Sequence, residues 1–246
     1  MNDRLQPLLF TLAFALATAA RAEEKPPSTG LLRIEAVGRP RRDCWLYVPT
    51  TYDPAKRYPL VVVLHPAGLK GATMVRTWGE VAERTGAFIV AGPECEDTRR
   101  HRWSLDDERD LLATINKVTA LYRVDPQRIL LTGFSQGAIY TYTFGLRNPG
   151  TFRAIAPVAG ALIAGQNPAA EAILRKARGM GVYIAHGAAD QQIPVVRARA
   201  SRARLEQAGF VVTYHEIPYL GHYLPPGEPA RIWAWFEKLT AASRAK

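Results

Sequence analysis

Residues 128–137 read RILLTGFSQG, and this stretch decides the fold of the chain. The apolar run Arg128–Thr132 predicts a buried strand, and the residues after Gly137 have a helical pattern. Between the two, GFSQG matches G-x-S-x-G, which is typical of a tight strand-to-helix turn that lifts one serine hydroxyl above a parallel sheet. Glycine fits both ends of the motif because strand and helix pass close together in such a turn.

Short apolar runs alternate with longer helical patterns along the rest of the chain, which indicates a mostly parallel sheet covered by helices on both faces. The expected strands are Leu31–Val37, Cys44–Val48, Leu60–Leu64, Phe88–Ala91, Arg128–Thr132, Ala154–Val158, Val182–Ala185 and Val211–Glu216. The expected helices are Val75–Arg84, Asp107–Tyr122, Gln136–Arg147, Ala169–Ala177, Val195–Gln207 and Arg231–Leu239. Because no helix separates the first two strands, they are expected to form an antiparallel edge.

The first 22 residues have the pattern of a cleaved signal peptide. Arg4 precedes an apolar run from Leu8 to Ala20, and residues 20–22 read ARA, which fits an A-x-A cleavage site. The run is short for a membrane span, so no stable membrane insertion is expected after cleavage. We therefore expect a signal peptide at 1–22, a flexible lead-in at 23–30 and one α/β domain at 31–246. The protein is expected to be periplasmic or secreted.

The composition argues against several other classes of protein. The formal net charge of +10 comes mostly from scattered arginines, which is typical of a solvated surface, and no nucleic-acid partner is expected for an exported chain. The two cysteines, Cys44 and Cys95, have no metal-like spacing, so neither a metal nor a cofactor is expected. In an oxidising compartment they form either a disulfide or two separate buried thiols. The sequence leaves the oligomeric state open.

Ser135 needs two partners if it is a nucleophile. A serine hydroxyl reacts only when an adjacent base takes its proton, and an acid must orient that base. In the fold that carries this turn, the chain order is serine, acid, histidine. Asp190 is the only aspartate after Ser135 and ends the segment HGAAD at 186–190, which comes right after the strand Val182–Ala185, although it fits a loop-capping role as well.

The predicted base is His222, because it lies in the loop between the last strand and the last helix. The other four histidines fit less well. His101 precedes the nucleophile in a charged segment, and His215 lies inside a strand. His186 is expected to brace the Asp190 loop, and His65 belongs to a different feature.

That feature is a turn that follows the third strand and reads HPAG at 65–68. Negative charge that develops on an ester carbonyl oxygen must meet preorganised N–H donors. The backbone N–H of Gln136, next to the nucleophile, is one expected donor. Because Pro66 has no N–H, Ala67 is the first residue in the turn that can supply the second. A simple Pro-Gly turn without this role is the alternative.

With Ser135, Asp190 and His222 in this order, the chain resembles the α/β-hydrolases. More narrowly, it resembles exported bacterial esterases grouped with polyhydroxybutyrate depolymerases and feruloyl esterases, and dienelactone-hydrolase-like predicted esterases. The resemblance is carried by residues 58–65, 122–129, 132–137, 156–160, 186–194 and 221–222. It implies an α/β-hydrolase fold with serine as nucleophile, aspartate as acid and histidine as base. The chain departs from these families at Pro66, where they usually have glycine, and from dienelactone hydrolases proper in having serine instead of cysteine.

The resemblance also implies that the second strand lies antiparallel to the fourth. That order brings Cys44 close to Cys95 and implies a disulfide between them. It also brings two arginine groups to the rim of the site, with the members Arg39, Arg41, Arg42, Arg99, Arg100 and Arg102. One hypothesis is that these arginines attract acidic esters, and the alternative is that they are only solvated.

Residues 157–182 are too few for a large lid, which favours soluble or bulky esters over lipid aggregates. His65, Trp103 and Tyr223 are the candidate substrate-lining residues, although Trp103 and Tyr223 fit a packing role equally well. The expected function is that of an exported serine esterase acting on small-molecule or oligomeric esters. A lysophospholipase or thioesterase of the same fold, and a non-catalytic binding protein, are the alternatives.

Overall fold

A computed structural model describes residues 28–35, 43–97, 99–163, 165 and 167–242. The strands are β1 Gly30–Glu35, β2 Asp43–Val48, β3 Tyr58–Leu64, β4 Ile89–Pro93, β5 Val124–Phe134, β6 Ala154–Val158, β7 Gly181–Gly187 and β8 Val212–Ile217. The helices are α1 Gly71–Thr85, α2 Asp107–Leu121, α3 Gln136–Arg147, α4 Pro168–Lys176, α5 Val195–Gln207 and α6 Glu228–Ala242. The predicted signal peptide, most of the predicted lead-in, and Arg39, Arg41 and Arg42 lie outside the described residues.

The strands form one sheet in the order β1-β2-β4-β3-β5-β6-β7-β8. β2 lies antiparallel to both β1 and β4, and every other neighbouring pair is parallel. The α/β-hydrolase fold and the antiparallel edge predicted from the sequence are therefore confirmed. Because the parallel strands point the same way, the loops that follow β3, β5, β7 and β8 all leave from one edge of the sheet.

Apolar layers cover both faces of the sheet. Every residue of β3 is buried, and its side chains alternate between the two layers. One layer includes side chains of α1 and α6, and the other includes side chains of α2, α3, α4 and α5. Burying one aliphatic side chain stabilises a fold by about 1.5–3 kcal/mol, so β3 is a strong anchor for the loop that follows it.

Among the described residues between β6 and β7, the one helix is α4, which has nine residues. This helix begins where its sequence specifies, because the Asn167 side chain accepts a hydrogen bond from the Ala170 N–H at 2.9 Å and Pro168 supplies the first turn. No long lid covers this part of the described chain. Nor does any described helix have the length and apolar character needed to cross a membrane.

The predicted disulfide is wrong. Cys44 and Cys95 are free thiols, and both are buried. The register of β2 with β4 pairs Cys44 with Pro93, and Cys95 lies two residues farther on, beyond the end of β4. Each thiol lies near a backbone carbonyl oxygen instead. The Cys44 sulfur is 3.4 Å from the Trp45 oxygen, and the Cys95 sulfur is 3.6 Å from the Asp97 oxygen. Burial raises the pKa of Cys95 to about 12 and that of Cys44 further still, so both thiols stay protonated and unreactive.

Candidate active site

Ser135 occupies the junction between β5 and α3, in a backbone conformation that residues other than glycine rarely adopt. Its φ is 56° and its ψ is −119°, and its N–H donates to the Val158 carbonyl at 3.0 Å. A residue with a side chain holds such a conformation only when its surroundings impose it, and such strain clusters at functional sites. The turn projects the hydroxyl above the carboxyl edge of the sheet.

Close packing of backbone against backbone holds the turn in place. A Cβ at Gly137 would lie 2.3 Å from the Leu64 carbonyl oxygen and 2.7 Å from that of His65. A Cβ at Gly133 would lie 2.6 Å from the backbone of Gly137. Because real Cβ atoms do not approach other atoms this closely, both positions require glycine, and the start of α3 rests directly on the end of β3.

The loops after β7 and β8 bring Asp190 and His222 to Ser135. The Nε2 atom of His222 lies 2.8 Å from the Ser135 hydroxyl oxygen, and its Nδ1 atom lies 2.7 Å from Oδ2 of Asp190. Because ionised Asp190 can only accept, His222 carries its proton on Nδ1, which leaves Nε2 free to accept the serine proton. The structure thus brings the three predicted residues into one hydrogen-bonded chain.

The Asp190 carboxylate is buried and well satisfied. Its Oδ1 atom accepts the backbone N–H groups of Gln192 and Ile193, each at 2.9 Å. Burial by itself raises the pKa of Asp190, but the hydrogen bonds from His222 and from these N–H groups outweigh it, so the pKa lies below its ordinary value. The Nε2 atom of His186 lies 3.3 Å from Oδ2 of Asp190. The same Nε2 atom lies 2.7 Å from the carbonyl oxygen of Ile193. His186 therefore braces this loop.

The turn after β3 faces the start of α3. Leu69 donates its N–H to the Pro66 carbonyl at 3.3 Å, and Gly68 has a φ of 80°, which is the geometry of a type II turn. Ala67 is exposed at the corner of this turn. Within the described chain, neither the Ala67 N–H nor the Gln136 N–H donates to another protein group, so both are available to an oxyanion.

The prediction that His65 and Trp103 line the cleft is wrong. His65 is 0% and Trp103 is 3% exposed, and their rings pack 4.8 Å apart beneath the turn. His65 directly follows β3, and burial of its side chain lowers its pKa to about 4. Tyr223 is 69% exposed and lies next to His222, so it alone of the three can reach a substrate.

Other side chains at this edge complete the rim. Apart from Tyr223, the exposed apolar residues in the loops after the carboxyl ends of strands include Leu69, Leu105, Ile163 and Tyr219. Arg99, Arg100 and Arg102 are also exposed there. No group of three or more His, Cys, Asp or Glu residues among the described residues is arranged to hold a metal ion.

Comparison with known proteins agrees with this geometry. A family model described as Phospholipase/Carboxylesterase matches residues 106–240, which is more than half of the chain. A protein of Oryza sativa subsp. japonica named "Probable carboxylesterase" is 28% identical over 167 residues, which cover 65% of this chain and 62% of the rice protein. The chain thus spans less than two thirds of the length of that relative.

Solved structures with the same fold include several esterases. A thermostable esterase has a TM-score of 0.59 at 24% identity, with 76% of this chain and 54% of that chain covered. A ferulic acid esterase from Anaeromyces mucronatus has a TM-score of 0.65 at 16% identity, with 88% and 92% covered. An acetyl xylan esterase from Aspergillus awamori has a TM-score of 0.66 at 16% identity, with 85% of this chain and 100% of that chain covered. The chain belongs to the phospholipase/carboxylesterase family of α/β-hydrolases.

Proposed function

We propose that the protein is an exported serine esterase that hydrolyses carboxylic esters through an acyl-enzyme on Ser135. The observation that carries the proposal is the continuous hydrogen-bonded chain from Asp190 through His222 to the Ser135 hydroxyl, with distances of 2.7 and 2.8 Å. A protein that only binds a ligand has no need of this chain, which argues against the non-catalytic alternative.

In the first half of the reaction, the Ser135 oxygen attacks the ester carbonyl carbon while His222 takes the hydroxyl proton at Nε2. The carbonyl oxygen gains negative charge, which the N–H groups of Ala67 and Gln136 stabilise. His222 then gives its proton to the departing alcohol oxygen, and the acyl group remains on Ser135. Asp190 stays ionised and holds the imidazolium in place throughout.

In the second half, water takes the place of the alcohol. His222 removes a proton from the water as its oxygen attacks the acyl carbon, and the same two N–H groups again stabilise the oxyanion. Collapse of this intermediate breaks the bond to Ser135, and His222 returns the proton to the serine oxygen. The products are a carboxylic acid and the free enzyme.

The proposed substrates are short-chain esters, aryl esters of the feruloyl type, or hydroxyalkanoate oligomers. The absence of a long lid over the described β6–β7 loop leaves the site open to bulky or oligomeric molecules. The exposed rings and aliphatic groups at the rim, with Tyr223 beside the base, favour an apolar or aromatic acyl group. The fold shared with ferulic acid and acetyl xylan esterases is compatible with this class.

A panel of chromogenic acyl esters and feruloylated sugars, run on the wild type and on Ser135→Ala, tests the proposal. We expect the wild type to hydrolyse at least one class and Ser135→Ala to lose that activity by at least about 10³-fold, as in other serine hydrolases. Equal turnover by both proteins would remove Ser135 from the mechanism. The preferred ester then identifies the substrate class.

Export rests on the N-terminal pattern and needs its own test. The apolar run from Leu8 to Ala20 and the ARA sequence at 20–22 support cleavage before Glu23. N-terminal sequencing of the protein recovered from the periplasm or the medium is expected to begin at Glu23. Recovery of the full-length chain, confined to the cytoplasm, would contradict export.

A further inference from the structure

We propose that Trp103 is a positioning residue that fixes the distance between the two oxyanion donors, an inference that rests on the esterase function proposed above. Trp103 makes one hydrogen bond to each side of the oxyanion hole. Its indole N–H donates to the His65 carbonyl at 2.8 Å, at the start of the turn that carries Ala67. Its backbone N–H donates to the side-chain oxygen of Gln136 at 3.1 Å, and the backbone of Gln136 supplies the other donor.

Packing adds to these hydrogen bonds. The Trp103 ring lies 4.8 Å from the His65 ring on one side and 6.4 Å from the Phe144 ring of α3 on the other. Trp103 is 3% exposed and its indole hydrogen bond is buried, so solvent does not compete for that bond, whereas the bond to Gln136 is partly buried. Trp103 therefore connects the end of β3, through its indole N–H, with the beginning of α3, through its backbone N–H.

The segment around Trp103 is itself held at both ends. The carbonyl oxygen of His101, two residues earlier, accepts a hydrogen bond from the Gly68 N–H at 3.3 Å. His101 also has a φ of 47°, a strained backbone conformation that its surroundings impose. The buried Asp107 carboxylate accepts the N–H of Glu96 at 2.6 Å and that of Ser104 at 2.7 Å, which closes the segment into a loop. The loop between β4 and α2 thus acts as a fixed support for the turn that holds Ala67.

Such a support affects rate more than substrate binding. Donors stabilise an oxyanion only when they point to the place where the negative charge develops, and a displacement of 1 Å can lower the rate by about 10²-fold. The ester carbonyl in the ground state is much less sensitive to their position. Loss of the Trp103 bridge should therefore lower kcat and leave KM nearly unchanged.

Trp103→Phe tests the proposal, because phenylalanine keeps an apolar ring against His65 but loses the indole N–H together with part of the ring volume. We expect kcat to fall by about 10- to 100-fold with KM within a factor of about two. The affinity for benzeneboronic acid, which forms a tetrahedral adduct on a reactive serine, should fall in parallel. An unchanged kcat, or a KM increase without a change in kcat, would overturn the inference.

Gln136→Met is a second variant. It keeps the backbone N–H at position 136, which is the oxyanion donor, and removes the side-chain oxygen that accepts the backbone N–H of Trp103. We expect it to reproduce the kcat loss to a smaller degree. The control is Trp78→Phe, which truncates a buried tryptophan of α1 in the opposite apolar layer. If this control loses kcat as much as Trp103→Phe does, the effect reflects general destabilisation and the proposal fails.

Ser135→Ala, measured first with the same ester, separates the two proposals. If Ser135→Ala keeps full activity, the esterase function on Ser135 fails before Trp103 is considered. If Ser135→Ala is inactive while Trp103→Phe and Gln136→Met match the wild type, the function stands and only the positioning role is lost.

Discussion

Replacing Asp190 by asparagine is expected to trap His222 in the wrong tautomer. The Oδ1 atom of Asp190 accepts two backbone N–H groups, from Gln192 and Ile193. In Asp190→Asn the amide oxygen must keep this place, because an NH₂ group there would face two donors. The amide NH₂ then points at Nδ1 of His222, which must accept, so the ring proton moves to Nε2. A protonated Nε2 cannot take the serine proton.

The expected loss is large and specific. In serine hydrolases of known mechanism this change of tautomer lowers kcat by about 10⁴-fold, which corresponds to about 5.4 kcal/mol of transition-state stabilisation. The fold should survive, because the amide oxygen still accepts both N–H groups of the loop. We therefore expect a kcat near 10⁻⁴ of wild type (order of magnitude) with KM little changed and the far-UV circular dichroism spectrum retained.

The assay is steady-state hydrolysis of a p-nitrophenyl ester together with thermal unfolding. Asp53→Asn is the matched control, because the Asp53 carboxylate also accepts the N–H group two residues ahead, that of Ala55 at 2.9 Å, in a loop far along the chain from the site. The control should keep wild-type kcat. Activity of Asp190→Asn within tenfold of wild type would refute the tautomer argument.

Three further predictions follow from the packing and charges. Gly137→Ala places a Cβ 2.3 Å from the Leu64 carbonyl oxygen, so kcat should fall by about 10²-fold or more with a lower Tm, whereas Gly150→Ala, which meets nothing within 4 Å, should match the wild type in both. Burial raises the pKa of Glu94 from 4.5 to about 7, so stability from this group is present below pH 4.5 and is lost as the pH rises through about 7. Glu94→Gln should therefore show a smaller fall in Tm than the wild type between pH 5 and pH 8, and an equal or larger fall would contradict the assignment. Ellman titration should find two thiols in unfolded, unreduced protein and almost none reactive in the native state, and fewer than two would restore a disulfide.

Much of the fold follows from local sequence patterns. β3 and the Ile129–Gly133 part of β5 are mostly apolar runs of strand length, and their burial on both faces follows from that pattern. The boundaries depend on contacts that a local pattern does not contain. α1 begins at Gly71, four residues before the predicted start at Val75, because the Gly71 N–H is held by the Glu94 side chain at 2.9 Å. β5 extends back to Val124 because Tyr58 pairs with it there.

The three side chains of the candidate triad are predictable because their chain order and their loops are both constrained by the fold. The contacts that support the oxyanion hole are not predictable in this way. No sequence pattern indicates that the Trp103 indole binds the His65 carbonyl oxygen or that the Gln136 side chain accepts the Trp103 N–H, since each contact joins residues far apart in the chain. The disulfide prediction is wrong for a similar reason, because proximity in strand order does not fix which residues are paired.

The central claim is that Ser135 becomes acylated during turnover. The most direct test is intact-mass and peptide mass spectrometry of protein quenched with acid in the first moments of reaction with p-nitrophenyl acetate. We predict one added acetyl group, on the peptide that contains Ser135, and none on Ser135→Ala or His222→Ala treated in the same way. Hydrolysis by wild type with no acyl adduct, or with the adduct on another residue, would contradict the account.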